Sequence, residues 1–144
     1  MNLAALHHTA SGARAYPLDA HHLRIILRAA AGDMEGGTVV WRDRYAPASE
    51  PDQRVELERV ASDGVSDYWA ATLETATRRV WYAFCLRAGR EVVWFGEDGP
   101  AARRSDGASF EFPYLGTADL FRQPAWLEGI TFYRSSRTAS GKIW

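Results

Sequence analysis

Turn-forming residue clusters interrupt this sequence at intervals too short for long helices. Ser11-Gly12, Ala31-Gly32-Asp33, Gly36-Gly37, Pro47 to Pro51, Asp63-Gly64, Ala88-Gly89, Glu97-Asp98-Gly99-Pro100 and Ser105-Asp106-Gly107 are such clusters. Glycine admits positive φ, proline presets its own φ, and Asp and Ser hydrogen-bond the nearby backbone, so each cluster favours a reversal of the chain. Short segments between regular reversals predict strands.

Several of these segments alternate. Leu23, Ile25, Leu27 and Ala29 share one parity and Arg24 and Arg28 the other, the period-2 pattern of a strand with one face inward. Trp69, Ala71 and Leu73 alternate with Tyr68, Ala70 and Thr72, so one of Tyr68 and Trp69 faces outward. Val55, Leu57 and Val60 sit among Arg54, Glu56, Glu58 and Arg59 in weaker order. Val80 to Leu86 is apolar throughout, as a central strand would be, and is expected to bury Trp81, Tyr82 and Phe84. Ala88-Gly89-Arg90 turns that strand into a hairpin with Glu91 to Phe95. Phe110-Glu111-Phe112 adds a last strand before Pro113. About seven to nine short strands without a long amphipathic helix predict an all-β fold, an immunoglobulin-like two-sheet antiparallel β-sandwich.

Beyond Phe112 the composition changes. Pro113, Gly116 and Pro124 lead to Ala125-Trp126-Leu127-Glu128-Gly129, one expected helical turn opened by proline and closed by glycine. The polar residues from Arg134 onward show no periodicity and are expected to be disordered. The expected division is a sandwich over 1–115, a linker over 116–133 and a tail over 134–144.

A chain of 144 residues with 47% hydrophobic content is the size and composition of one globular domain. Its 17 Lys+Arg against 18 Asp+Glu leave a net charge of -1, which supplies no electrostatic footprint for nucleic acid. No apolar run approaches the roughly 20 residues of a membrane span, and no positively charged leader precedes an apolar core at the N-terminus. Cys85 stands alone, which excludes an internal disulfide and fits a reducing, cytoplasmic setting.

Catalytic equipment is not evident. There is no glycine-rich phosphate loop and no CxxC pair, so neither a nucleotide cofactor nor structural zinc is expected. His7-His8 and His21-His22 are adjacent pairs whose members point to opposite faces of a strand, so one of each pair could meet one of the other across neighbouring strands, but no carboxylate pattern accompanies them and no metal site is expected. Asp63, Asp67, Asp98 and Asp106 stand beside Gly or Ser, where carboxylates bind backbone, and Ser66, Ser105 and Ser109 lack a GxSxG setting. No catalytic residue, cofactor or metal ligand is therefore assigned.

Six each of Trp, Tyr and Phe make up 12% of the chain. Most must fill the core, yet rings in loops can present flat faces to sugars. Tyr45 lies in a loop with Arg42, Asp43 and Arg44 just before Pro47, and Trp41 precedes it. Tyr45, Trp41, Arg44 and Tyr68 are the candidates for a surface role.

A family resemblance joins these observations. AALHH (Ala4 to His8), YPLDAHHLRIILRAAAGD (Tyr16 to Asp33), RDRYA (Arg42 to Ala46), SDGVSDYW (Ser62 to Trp69), RRVWYAFCL (Arg78 to Leu86), WFGEDG (Trp94 to Gly99), FEFPY (Phe110 to Tyr114) and ADLFRQPAWLEGITFY (Ala118 to Tyr133) resemble, in order, the N-terminal domain of neopullulanases, cyclomaltodextrinases and maltogenic amylases of glycoside hydrolase family 13. That domain is carbohydrate-binding module family 34. The resemblance implies a β-sandwich ahead of an α-glucan-hydrolysing (β/α)₈ barrel, and a non-catalytic role in binding α-glucans or cyclodextrins, weakly when isolated. It also implies that the domain packs on its own barrel and on a second subunit, whose active-site cleft it narrows. Tyr45 of RDRYA matches the family position closest to that role, and for the candidates Tyr45, Trp41, Arg44 and Tyr68 the resemblance implies contact with carbohydrate or a partner subunit. The alternative is a structural interaction domain with no sugar affinity of its own. A barrel takes about 250 residues, so neither it nor its carboxylates fit in the remainder of this chain.

Family members continue after the Phe-Tyr dipeptide with a segment like QIFPERF, whereas here Phe132-Tyr133 runs into Arg134-Ser135-Ser136-Arg137. One set of codons for Tyr133 to Ser140 reads, after a single inserted A, as YQIFPDRF. Residues 134–144 are accordingly expected to be an out-of-frame tail of a chain cut short before its barrel. Sequencing of the source gene is expected to show a barrel reading frame downstream of codon 133 in the shifted phase; in-frame codons with no such frame would overturn the idea.

Overall fold

The computed structural model describes residues 1–75, 79–104 and 109–113. The expected helical turn over 125–129, the linker boundary, the 134–144 tail and Asp106 lie outside them. The described residues form β1 (Ala15–Pro17), β2 (His22–Ala30), β3 (Gly36–Asp43), β4 (Gln53–Glu56), β5 (Glu58–Ser62), β6 (Ser66–Glu74), β7 (Arg79–Ala88), β8 (Glu91–Gly96), β9 (Gly99–Ala101) and β10 (Phe110–Pro113). Short 3-10 turns at Leu3–Ala5 and Gly12–Arg14 precede them. A four-stranded sheet runs β1-β2-β6-β5 and a six-stranded sheet β4-β3-β7-β8-β9, with β10 also paired to β7. Every pairing is antiparallel, as in the expected sandwich.

The strand count exceeds the expected seven to nine partly because the chain changes sheets within one short stretch, Gln53 to Ser62. Gln53–Glu56 pairs with β3, and Glu58–Ser62 pairs with β6 in the other sheet. Leu57 makes the crossing: it is buried, and its N–H donates to the Gly37 carbonyl at 2.8 Å. Serving two sheets is why Val55, Leu57 and Val60 follow no single period. Gly37 permits the crossing, since a Cβ there would come within 2.9 Å of the Leu57 Cδ1.

Alternation read from the sequence becomes the core. Leu23, Ile25, Leu27 and Ala29 of β2 are fully buried and face Val39 and Trp41 of β3 and Val80, Tyr82, Phe84 and Leu86 of β7 within one cluster. The β7–β8 hairpin closes through Gly89 at φ 61, a left-handed conformation that glycine adopts without a steric penalty. Aromatic rings fill one part of the cluster: Tyr82 stacks on Phe110 at 5.5 Å and Phe84 on Phe95 at 6.0 Å. Such pairs add roughly 0.5–1.5 kcal/mol beyond burial.

His8 sits among these rings, edge-on to Tyr82, Phe84 and Phe110. His7 forms a bridge with Arg28 and remains exposed, so its neighbour turns inward, as the pair's geometry required. The Ile26 carbonyl can only accept, so the His8 Nδ1–H donates to it at 2.8 Å, and Nε2 accepts the Tyr82 hydroxyl at 2.7 Å. Both ring nitrogens and the buried phenol are thereby satisfied by a neutral imidazole. Trp69, on the inner face of β6, is different: its Nε1–H is buried without a partner among the described residues.

The β5 edge of the four-stranded sheet is irregular. Glu58, Arg59, Ala61 and Ser62 of β5 oppose Ala70, Trp69, Tyr68 and Asp67, so Val60 is passed over in a bulge. All five β5 residues are exposed.

Burial lowers the His8 pKa from 6.5 to about 4, opposed by the Ile26 hydrogen bond. A depressed folded pKa means that the unfolded chain takes up a proton first on acidification. The His8 contribution is therefore complete above pH 6.5 and disappears as pH falls towards 4, a loss of about 3 kcal/mol at 1.36 kcal/mol per unit. Urea unfolding across this window should show that slope in the native sequence and a much flatter one in a His8→Gln variant. Equal slopes would refute the assignment.

Candidate functional site

The pleat of β7 gives its outward side a different chemistry from the core. Arg79, Trp81 and Cys85 point away from the sandwich and are half-buried, between inward Val80, Tyr82, Phe84 and Leu86. Register places Arg42 of β3 and Glu111 of β10 on either side of Trp81. A polar and aromatic row thus crosses the outer face of the six-stranded sheet.

The loop after β3 stands at one end of this row, and its backbone is held from several directions. Asp43 Oδ1 accepts the Tyr45 N–H at 2.8 Å, an Asx turn, and the Asp43 carbonyl accepts the Ala46 N–H at 3.0 Å. Arg42 Nη2 donates to the Ala46 carbonyl at 3.3 Å and the Pro47 carbonyl at 2.7 Å. The Arg44 N–H reaches the Arg79 carbonyl at 3.1 Å. On this braced loop the Tyr45 ring is 67% exposed, whereas the other tyrosines among the described residues are half-buried or buried.

Arg44 joins the loop to the row. Its guanidinium carbon lies 5.9 Å from the Tyr45 ring centroid and 5.7 Å from that of Trp81, within cation–π range of both. Glu111 Oε2 accepts from Arg44 Nη1 at 3.1 Å and from Arg79 Nη1, while Oε1 accepts the Trp81 indole N–H at 3.0 Å. These donors, the indole first and Arg79 next, hold the Glu111 carboxyl below its ordinary pKa against the opposing effect of burial. Glu111 in turn raises Arg79, with a smaller contribution from Tyr45. The ensemble is an aromatic surface edged by fixed donors and acceptors.

Two of the sequence candidates fall elsewhere. Trp41 is 9% exposed and belongs to the core, so it does not share the surface with its loop neighbour Tyr45. Tyr68 faces outward as the parity allowed, but on the four-stranded sheet, with the Arg14 guanidinium carbon 5.3 Å from its ring centroid. Trp81, expected in the core, takes the surface place instead. The run from Val80 to Leu86 has no polar residue to reveal which parity faces water, but Arg79 at the same parity as Trp81 was a usable signal. Further along the same face, Trp94 pairs with Cys85, carries the Arg104 guanidinium at 5.6 Å, and is linked through Arg104–Asp52 (2.6 Å) to Arg42 (3.5 Å from Asp52).

The turn carboxylates act on backbone. Asp63 Oδ1 accepts the Val65 and Ser66 N–H groups, and buried Asp67 accepts the Gly32 N–H at 2.9 Å with Arg59 3.6 Å away. Backbone donors come first among the causes that lower both pKa values. Among the described residues no group of three or more His, Cys, Asp or Glu is arranged to hold a metal, and no helix is long and apolar enough to cross a membrane.

Comparison with known proteins bears on this site. The family model for the alpha amylase N-terminal Ig-like domain matches residues 1–116. Neopullulanase 2 of Thermoactinomyces vulgaris is 37% identical over 135 residues, covering 93% of this chain and 23% of that protein. Cyclomaltodextrinase of Geobacillus thermopakistaniensis (strain MAS1) is 30% identical over 139 residues, covering 93% and 24%. Intracellular maltogenic amylase of Bacillus subtilis (strain 168) is 28% identical over 151 residues, covering 99% and 26%. A solved cyclomaltodextrinase structure superposes with a TM-score of 0.77 at 26% identity over 88% of this chain and 22% of its own. The chain thus spans about a quarter of the length of the relatives it matches.

The two neighbouring aromatics of the β3 end make opposite predictions for stability. Tyr45→Ala should leave the unfolding free energy within about 0.5 kcal/mol of the native value, as surface substitutions do. Trp41→Ala should lower it by roughly 3–5 kcal/mol. Denaturant titration of both variants checks the assignment, and equal losses would contradict it.

Proposed function

We propose a function that proceeds from one premise: the chain belongs to the alpha amylase N-terminal Ig-like domain family. It is a non-catalytic α-glucan-binding domain, and it contributes Tyr45 to a surface shared with a second subunit or with the barrel of an alpha-amylase-family hydrolase. The single observation that carries this reading is the exposed Tyr45 ring on a loop whose backbone is fixed from Asp43, Arg42 and Arg79. An exposed ring on a pre-ordered loop loses little entropy on binding, which suits weak, stacking ligands.

The chemistry agrees with sugar. A glucose ring offers an apolar C–H face for stacking on an aromatic side chain and hydroxyls that need donors and acceptors at the rim. Tyr45 and Trp81 supply the flat surfaces, and Arg44 and Arg79 the rim. The names of the relatives, neopullulanase, cyclomaltodextrinase and maltogenic amylase, support an α-glucan or cyclodextrin over other saccharides. Hydrolysis would belong to a barrel that 144 residues cannot contain beside this sandwich.

A structural reading is favoured by one feature: the Arg44 guanidinium already stands over the Trp81 indole, as it would in a surface built for packing. Titration of the purified chain with β-cyclodextrin and maltotriose, followed by tryptophan fluorescence, separates the two. Saturable quenching that Tyr45→Ala abolishes, without glucan hydrolysis, is the expected result. No change at millimolar ligand would overturn sugar binding by the isolated domain and leave the interaction role.

A further inference from the structure

The geometry points to Glu111 as the positioning residue of the Tyr45 side chain: one carboxylate on β10 holds Arg44, which lies beside the Tyr45 ring, together with Arg79 and the Trp81 indole. This rests on the reading that Tyr45 meets the glucan and identifies what fixes it in place.

The two carboxylate oxygens have separate tasks. Oε1 takes the Trp81 indole N–H at 3.0 Å, which orients the ring on which Arg44 rests. Oε2 takes Nη1 of Arg44 at 3.1 Å and Nη1 of Arg79. Arg44 then lies 5.9 Å from the Tyr45 ring centroid, and the Tyr45 phenol is among the groups that act on Arg79. The Asx turn and the Arg42 contacts shape the backbone of the loop but leave the direction of the Tyr45 side chain open. Arg44 reaches its ring, and Glu111 is the common acceptor of Arg44 and Arg79.

The arrangement is also economical in register. Glu111 lies directly opposite Trp81 in the β10–β7 pairing and has buried Phe110 and Phe112 on either side. Its backbone is therefore set by the ladder and by core burial, independently of its carboxylate. Replacing the carboxylate alone should free the Tyr45 side chain while the loop backbone and β10 stay in place. Glu111→Gln keeps an oxygen for the indole and removes the charge that gathers the arginines.

The test has one arm without ligand and one with it. In the free chain, aromatic ¹³C relaxation of Glu111→Gln should show increased motion of the Tyr45 ring, with the Tyr82 and Phe84 rings unchanged and the Trp81 indole N–H resonance retained. With β-cyclodextrin, affinity should fall about three- to tenfold, the scale set by immobilising one such side chain. Adding Glu111→Gln to Tyr45→Ala should then have no further effect on affinity. A Tyr45 ring as rigid in Glu111→Gln as in the native chain would overturn the positioning role. A loosened ring with undiminished affinity, where Tyr45→Ala does weaken binding, would overturn its functional consequence. A loosened ring in a chain that binds no β-cyclodextrin, or binds it equally well after Tyr45→Ala, would instead sink the sugar reading and leave the positioning intact. Should Glu111→Gln fail to fold, Arg44→Met, at an exposed position, replaces it: the thioether keeps contact with the rings without the ion pair, and the same ring motion and affinity loss are expected.

Discussion

The register of β7 is the constraint on which the rest of this molecule depends. β7 hydrogen-bonds β3 along one side and both β8 and β10 along the other, so three strands take their alignment from it. Its inward parity supplies Tyr82 and Phe84, the largest fully buried side chains. Its outward parity supplies Arg79 and Trp81 to the surface row. Side chains on a strand alternate with a period of two, so a slip of one residue would exchange the two sets and put an arginine among the core rings. Core and candidate site are two faces of one alignment.

The polar groups inside the core reinforce that alignment. His8 comes from the N-terminal segment, yet its two ring nitrogens bind β2 through Ile26 and β7 through Tyr82, one from each sheet. A hydrogen bond between layers is directional where hydrophobic contact is not, so it selects one offset of the sheets among several of similar buried area. The Trp69 indole N–H, without a partner among the described residues, shows the contrary case, a polar atom tolerated because the large ring around it fills the core.

How much of this could be read from sequence follows from the physics of each segment. β2 was legible because arginines mark its outer parity, and the β7–β8 hairpin because Gly89 marks its turn. Trp81 was misplaced because a strand apolar on both faces carries no period. Trp41 was ambiguous for the same reason, with Val39 and Val40 both buried before it. The Asx turn at Asp43 and the exposure of Tyr45 agree with the loop read from Pro47 and its polar neighbours. The Glu111 contacts were invisible, since they join residues 30 to 67 positions apart.

The passed-over valine of β5 has a meaning beyond local geometry. A sheet edge invites a second copy of itself when its free N–H and C=O groups recur at even spacing. At Val60 that recurrence is broken, and the flanking Glu58 and Arg59 are solvated charges. The outermost strand therefore offers two stubs in place of one continuous template, each too short to seed a ladder between molecules. A margin so divided disfavours edge-to-edge pairing between copies of the sandwich.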